Sequence, residues 1–368
     1  MGRRPQAGEQ GQSLIQFALM ITMFFAFAAL AVDVGNLYAE RRKMQNAADA
    51  GALAAARQLC LGKSTSEASD SARDYMLLNG VLADHIGGQD ISIQGNRVEV
   101  RARETVDTWL TSVTSATFQT ANVQASAKAV CGAATSACGL WPVAIDYAMW
   151  EGAKCGESLV IWNAENDDTE AACTIGGVVK DICSCYDCDL DDNGSDDFAV
   201  MTKLARGWMD FESTTDPVYT DLCKASGCGA SELACRIENS YGGRVTLPAC
   251  IPGLKGVKAG VKDEVDNRTG DTVQLPLYSA INCASDSNCS GTEAKTYYVT
   301  KFGCATVDGW RQKFELQPKA GMPKSYTKIK SKAILVTKDC GGSCMTFCGS
   351  ASDTPAEPWE LRAASLSQ

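Results

Sequence analysis

The run Leu14-Ile15-Gln16-Phe17-Ala18-Leu19-Met20-Ile21-Thr22-Met23-Phe24-Phe25-Ala26-Phe27-Ala28-Ala29-Leu30-Ala31-Val32 decides how the rest of the chain is read. No charged side chain occurs from Gln10 to Val32. A helix rises about 1.5 Å per residue, so this run covers roughly 28 Å, close to the hydrocarbon thickness of a bilayer. It is longer than the roughly 7–15 apolar residues of a secretory signal peptide, and the helical pattern continues beyond it. It therefore reads as a retained transmembrane anchor.

Charge on either side does not orient the anchor. Arg3 and Arg4 precede it, while Arg41, Arg42 and Lys43 follow. The cysteines orient it instead. There are 18, with none before Cys60 and the others running from Cys131 to Cys348. That many thiols are explained as crosslinks in an oxidising compartment, which places the N-terminus in the cytoplasm and the cysteines outside. An even count allows every cysteine a partner, but the connectivity cannot be read from sequence.

Formal net charge is −10, and residues 1–43 contribute five basic against three acidic side chains, so the remainder is strongly acidic. Such a surface argues against a nucleic-acid partner, which needs clustered Lys and Arg. His85 is the single histidine, which removes most histidine-based acid–base chemistry and metal binding. It sits beside a Gly-Gly turn and reads as a loop residue. Neither a phosphate-cradling Gly-x-x-x-x-Gly-Lys nor a Gly-x-Ser-x-Gly elbow occurs. The chain is expected not to be an enzyme and to take no small-molecule substrate.

Beyond the anchor, Asn36 to Leu59 continues as helix. Leu37, Met44, Ala48, Ala55 and Leu59 share one face. Ala47, Gly51 and Ala55 form a row of small residues, as do Ala48, Ala52 and Ala56. Such rows let a second helix approach closely, either from a partner or from the chain's own domain. Ser64 and Glu67 have capping-box spacing for a helix through Tyr75 to about Leu78. Ile91-Ser92-Ile93 and Val98 to Arg103 predict a hairpin turning at Gly95-Asn96. A short helix is expected over Val106 to Ser115, burying Trp109, Leu110 and Val113, and then a strand through Val123 to Ala129.

Three blocks carry a resemblance. Gly11-Gln12-Ser13-Leu14-Ile15-Gln16-Phe17-Ala18-Leu19, then Leu30-Ala31-Val32-Asp33-Val34-Gly35-Asn36-Leu37-Tyr38, then Arg41 to Ala56 resemble the N-terminal signature of TadE/TadG-like Flp pilus-assembly proteins. A weaker similarity continues through Gly139 to Ile145 and Gly270 to Tyr278. The resemblance implies a component of the tight-adherence (Tad) machinery in the bacterial inner membrane, partnered by other Tad/Flp pilus-assembly proteins. Some relatives resemble pilins and are cut after a glycine, with Glu at the fifth mature position. Here a cut after Gly11 places Gln16 there, and neutral Gln can only hydrogen-bond where a carboxylate would pair with a neighbouring amine. Large relatives often carry a von Willebrand A domain with Asp-x-Ser-x-Ser. That motif does not occur here, so metal-dependent adhesion by that route is not implied.

From Cys131 the pattern is short strands, turns and cysteines, with strands expected at Ser158 to Trp162, Thr272 to Tyr278, Thr296 to Phe302 and Thr327 to Lys338. Cys183/Cys185/Cys188, Cys223/Cys228/Cys235 and Cys340/Cys344/Cys348 are clusters, but none has paired zinc knuckles, so disulfides are expected. Cys185-x-x-Cys188 lacks a redox motif's βαβ setting. Asp189, Asp191, Asn193, Ser195 and Asp197 match the first half of an EF-hand-type calcium loop, with Gly194 at its sixth position. Val200 stands where the bidentate Glu belongs, and Asp187 is the candidate replacement. The alternatives are a structural Ca²⁺ site and a solvated acidic loop.

The expected fold is α+β. Residues 1–11 are a cytoplasmic leader, and 12–60 a transmembrane helix extended into a long pilin-like helix. Residues 61–130 form a small α/β unit, 131–349 a disulfide-rich, mainly β extracytoplasmic domain, and 350–368 a flexible tail. The expected function is that of a pseudopilin-like structural or assembly component of a Tad/Flp pilus or tight-adherence secretion system. The alternative is a surface-presented, disulfide-rich adhesin or ligand-binding protein.

Overall fold

The computed structural model describes residues 10–108, 120–164, 173–176, 178–180, 182–189, 198–200, 206–211, 223, 230–254, 261–281, 296–342 and 344–367. The chain divides into two compact units. The first comprises residues 1–56, 64–129 and 366–368, the second residues 57–63 and 130–365.

The first unit starts with α1 (Gln10–Cys60), a single helix of 51 residues without proline. Helix α2 (Thr65–Leu78) starts at the expected capping box: the Ser64 hydroxyl accepts from the Glu67 N–H, and the Glu67 carboxylate accepts from the Ser64 N–H. Ala68, Ala72 and Met76, spaced by four, are its buried stripe. Strand β1 (Ile91–Gln94) pairs antiparallel with β2 (Arg97–Asp107), with Ile91 opposite Val100 and Gln94 opposite Arg97. Strand β3 (Thr120–Ala133) follows β2 in the sheet. Val98, Val100 and Ala102 are buried, so one face of β2 covers the core. Val106 is buried on the same face. The helix expected from Val106 is therefore replaced at its start by a continuing strand, because the two-residue alternation had not ended. Trp109, Leu110 and Val113 lie outside the described residues. His85 ends a 3₁₀ turn (Ala83–His85), with Nδ1 2.7 Å from Glu104 Oε1.

The second unit is mainly β. Its strands begin with β4 (Ser136–Ala137) and β5 (Val143–Asp146), followed by helix α3 (Tyr147–Gly152). Next come β6 (Ser158–Ala164), β7 (Cys173–Ile175), β8 (Val178–Lys180), β9 (Phe198–Val200) and β10 (Arg206–Met209). Helix α4 (Ala230–Asn239), β11 (Val245–Thr246), β12 (Ala249–Leu254) and α5 (Lys262–Asn267) precede the long strands. These are β13 (Thr272–Ile281), β14 (Thr296–Leu316) and β15 (Ile329–Lys338), with β16 (Met345–Thr346) and β17 (Arg362–Ser367) last.

The main sheet runs β12-β10-β5-β13-β14-β15-β6-β9. Strand β14 is long enough to serve two neighbourhoods. Its start pairs with β12 and β13, and its end pairs with β15. The β12–β14 pairing closes β12, β10, β5, β13 and β14 into a ring. Val143 and Ile145 enter one core with Leu233 and Ile237 of α4, while Ala144 between them enters the other with Phe211, Tyr241 and Phe302. The two stretches of weaker family similarity lie side by side, since Ile145 pairs with Leu277 and the Trp141 N–H donates to the Gln274 carbonyl at 2.8 Å.

The tail departs from expectation. Prolines and small polar residues made 350–368 read as flexible, but Trp359, Leu361 and Ala363 are buried and β17 pairs parallel with β16. Leu361 donates its N–H to Phe302 and accepts from Ala134, and Ser352 donates to Ala133. At Gly132 a Cβ would lie 2.0 Å from the Ser352 carbonyl oxygen, so only glycine admits this close approach. The Trp359 ring lies 5.3 Å from both the Lys301 and Lys338 ammonium groups.

Every cysteine among the described residues is disulfide-bonded. The pairs are Cys60–Cys131, Cys138–Cys348, Cys155–Cys340, Cys173–Cys185, Cys183–Cys188, Cys223–Cys235 and Cys304–Cys344. The members of the Cys185-x-x-Cys188 pair bond to different partners, which rules out a dithiol switch between them. Six of these pairs also consume the thiols of the three sequence clusters that were weighed against zinc, apart from Cys228, which lies outside the described residues.

Candidate functional site

The strongest functional feature is α1, whose two halves have opposite surroundings. From Leu14 to Leu30 the large apolar side chains, Phe17, Met20, Phe24, Phe25 and Phe27 among them, are exposed. A helix half apolar on all sides is unstable in water and suited to lipid. Thr22, the one hydroxyl in this stretch after Ser13, donates to the Ala18 carbonyl one turn back at 2.8 Å, which satisfies it without a solvent partner. Gln16 is exposed here and Gly11 lies in the first turn. This helix is long and apolar enough to cross a membrane.

Asp33 is already buried, and the packed face of the second half begins at Met44. Ala47, Ala48, Ala52, Ala55 and Ala56 are fully buried. A Cβ on Gly51 would stand 3.0 Å from Met76 Cγ, 3.1 Å from the Ala72 carbonyl and 3.4 Å from Val100 Cγ1. The row Ala47-Gly51-Ala55, read from sequence as open to a partner helix or to the chain's own domain, is thus used by the chain itself. Gly51 is the residue that brings α1 close to α2 and β2. On the exposed side Gln45 donates to Asp49 at 2.7 Å and Lys43 pairs with Glu40 at 3.4 Å.

Of the five calcium-loop candidates only Asp189 is described, and its N–H donates to Oδ1 of Asp187, the candidate replacement ligand, at 3.2 Å. Asp191, Asn193, Ser195 and Asp197 lie outside the described residues. Among the described residues no group of three or more His, Cys, Asp or Glu side chains is placed to hold a metal ion.

Two buried charged groups were not legible in the sequence. The Arg236 guanidinium, 1% exposed, pairs with Glu232 one turn earlier and lies 5.4 Å from the Tyr241 ring, which stacks on Phe211 at 4.5 Å. The Lys338 ammonium donates to the Trp150 and Ala153 carbonyls at 2.6 and 2.7 Å, and burial pushes its pKa down. The i, i+4 spacing of Glu232 and Arg236 was the one available signal, and it looks the same on a solvated helix. A cavity of about 380 Å³ lined by Thr135, Leu247, Lys301 and Glu357 also lies in this unit, and its Lys301 and Glu360 neutralise each other at 3.2 Å.

Residues 11–58 match the Tad family model, described as Flp pilus-assembly TadE/G-like. The N-terminal helix is thus similar to TadE/G-like Flp pilus-assembly proteins over these residues. The match ends within α1, so it covers both the exposed apolar half and the buried half of this helix. No curated protein and no solved structure matches the chain. The matched residues, within a helix long and apolar enough to cross a membrane, are followed by a mainly β region carrying several disulfides.

Proposed function

We propose that the chain is a non-catalytic, pseudopilin-like structural or assembly component of a Tad/Flp pilus or tight-adherence secretion system. Residues 14–32 cross the inner membrane with the N-terminus in the cytoplasm, and the disulfide-bearing part stands in the periplasm or beyond. The observation that carries this reading is the division within the TadE/G-like helix. Its first half exposes apolar side chains on every side, and its second half is built into a folded unit. Such a helix couples events in the bilayer to the folded part without a flexible joint.

Because α2 and β2 occupy the small-residue face, association with other pilus-assembly proteins runs through the exposed apolar half instead. There the side chains meet only lipid or other spanning helices, and close packing between helices supplies the attraction. Gln16 contributes a hydrogen-bonding amide rather than a charge at the position where pilin-like relatives carry Glu.

Exchanging residues 14–32 for an unrelated single span of equal length tests this. Surface pili should disappear while the chain remains in the membrane fraction. Normal pili would reduce the segment to a simple anchor and favour the adhesin reading, which surface attachment with and without calcium would then examine.

A further inference from the structure

The hairpin of β2 and β3 runs down α1 to the edge of its apolar run. Cys60, at the end of α1, is bonded to Cys131 of β3. From Cys131 back to Thr120 the strand covers roughly 36 Å at about 3.3 Å per residue. A helix takes about 24 residues to cover that distance, which leads from Cys60 to Asn36. A second contact gives the same level. Val100 of β2 lies at Gly51, and β2 continues from there to Asp107. That stretch is roughly 23 Å, or about 15 helical residues, and again reaches Asn36. The Thr105 hydroxyl donates to Asn122 Oδ1 at 3.1 Å, so the two strands arrive together.

Burial on α1 agrees. Asp33 is 6% exposed, although Val32 and Val34 on either side are 61% and 54% exposed. Leu37 and Glu40 are part-buried and continue the same stripe to Met44 at helical spacing. The folded chain therefore covers one side of α1 down to the residue that follows the apolar run. Asn36 stands about 6 Å beyond Val32 along the axis. The polar interfacial layer is roughly 5–8 Å deep on each side of the hydrocarbon, so the end of the hairpin lies at headgroup level.

The side chains there suit that layer. Thr105, Asp107, Thr120 and Asn122 are exposed and polar, and the Asp107 carboxylate keeps this end out of the hydrocarbon, where a charge is costly. Residues 109–119, which join the strands, lie outside the described residues. Tyr38, near the same level of α1, is 69% exposed, and tyrosine is enriched at the interface. We infer that the described end of the β2–β3 hairpin rests among phospholipid headgroups of the leaflet from which α1 emerges. Thr105, Asp107, Thr120 and Asn122 are its polar contacts, and the ammonium of phosphatidylethanolamine matches the Asp107 carboxylate. Helix α1 and the hairpin then meet the leaflet side by side, which holds an orientation of the first unit that one helix alone does not. This contact depends on α1 being the membrane span.

The test is photocrosslinking of the full chain in nanodiscs of phosphatidylethanolamine and phosphatidylglycerol. A benzophenone amino acid replaces Asp107, Thr120, Ser126 or Phe25, all exposed, in separate samples, and adducts are identified by mass spectrometry. Ser126 lies on the same strand and face as Thr120 but roughly 20 Å further from the bilayer. Lipid adducts at 107, 120 and 25, with none at 126, are expected. Adducts at 25 but none at 107 or 120 would overturn the headgroup contact and leave the span intact. Adducts at 126 as frequent as those at 120 would overturn it by removing the difference in level. Adducts at 107 or 120 to another protein chain would overturn it in favour of a protein-docking face. No adduct at 25 would overturn the span reading itself, and this contact with it.

Discussion

Gly51 illustrates how one residue sets the spacing of a whole unit. Its missing side chain is the space into which Met76 and the Ala72 carbonyl pack, at distances where a Cβ would already be tight. Gly51→Val should overpack this contact and destabilise the first unit by about 1–3 kcal/mol, offset only slightly by valine's better helix propensity. Urea unfolding of the detergent-solubilised chain measures this. An unchanged midpoint would mean that α1 and α2 do not pack as described. Asp266 offers a test by pH. Burial pushes its carboxyl up, but the Lys262 ammonium and the Trp310 N–H, at 2.8 Å, together hold it below the usual carboxylate value. The folded chain thus favours the carboxylate more than the unfolded chain does. Its stabilisation is complete above the ordinary aspartate value and is lost as pH falls through the lowered one. Asp266→Asn should therefore be less stable than the parent at about pH 7, and the difference should shrink toward about pH 3. A difference independent of pH would contradict this. These residue-level features were only partly visible beforehand: the small-residue row was legible, but which helix it serves depends on how the chain folds back.

Elements were the most legible level, because their signals are local. Ser64 and Glu67 announce the start of α2, and Ser64→Ala should cost about 1 kcal/mol by leaving a helix N–H without its acceptor, read as a lower thermal midpoint. The hairpin at Gly95-Asn96 and the strands that became β6, β13, β14 and β15 were legible for the same reason. What failed was non-local. The alternation that carries β2 through Val106 was ambiguous, since a short alternating stretch and a short amphipathic helix look alike. The proline-bearing tail gave no sign that Trp359 would dock between Lys301 and Lys338. The disulfide map was closed to sequence for a stronger reason: Cys155 and Cys340 are separated by 185 residues, and Cys138 and Cys348 by 210. Removing the Cys155–Cys340 link as a double serine variant should destabilise the second unit by about 2–5 kcal/mol in denaturant. A non-reducing peptide map should find Cys185 joined to Cys173 and Cys183 to Cys188. A Cys185–Cys188 link would refute the pairing.

At the scale of the whole molecule, the disulfides and the apolar half of α1 make separate demands that the proposed topology meets. Crosslinks require an oxidising compartment, and an exposed apolar helix requires a bilayer. In the proposed reading, a Tad/Flp system is the biological setting for both. The central claim, a part in assembling a Tad/Flp pilus, is tested most directly by deleting the gene and counting surface pili by electron microscopy beside a complemented strain. The account predicts that pili are lost on deletion and return on complementation. Pili of normal number and length in the deletion strain would contradict it.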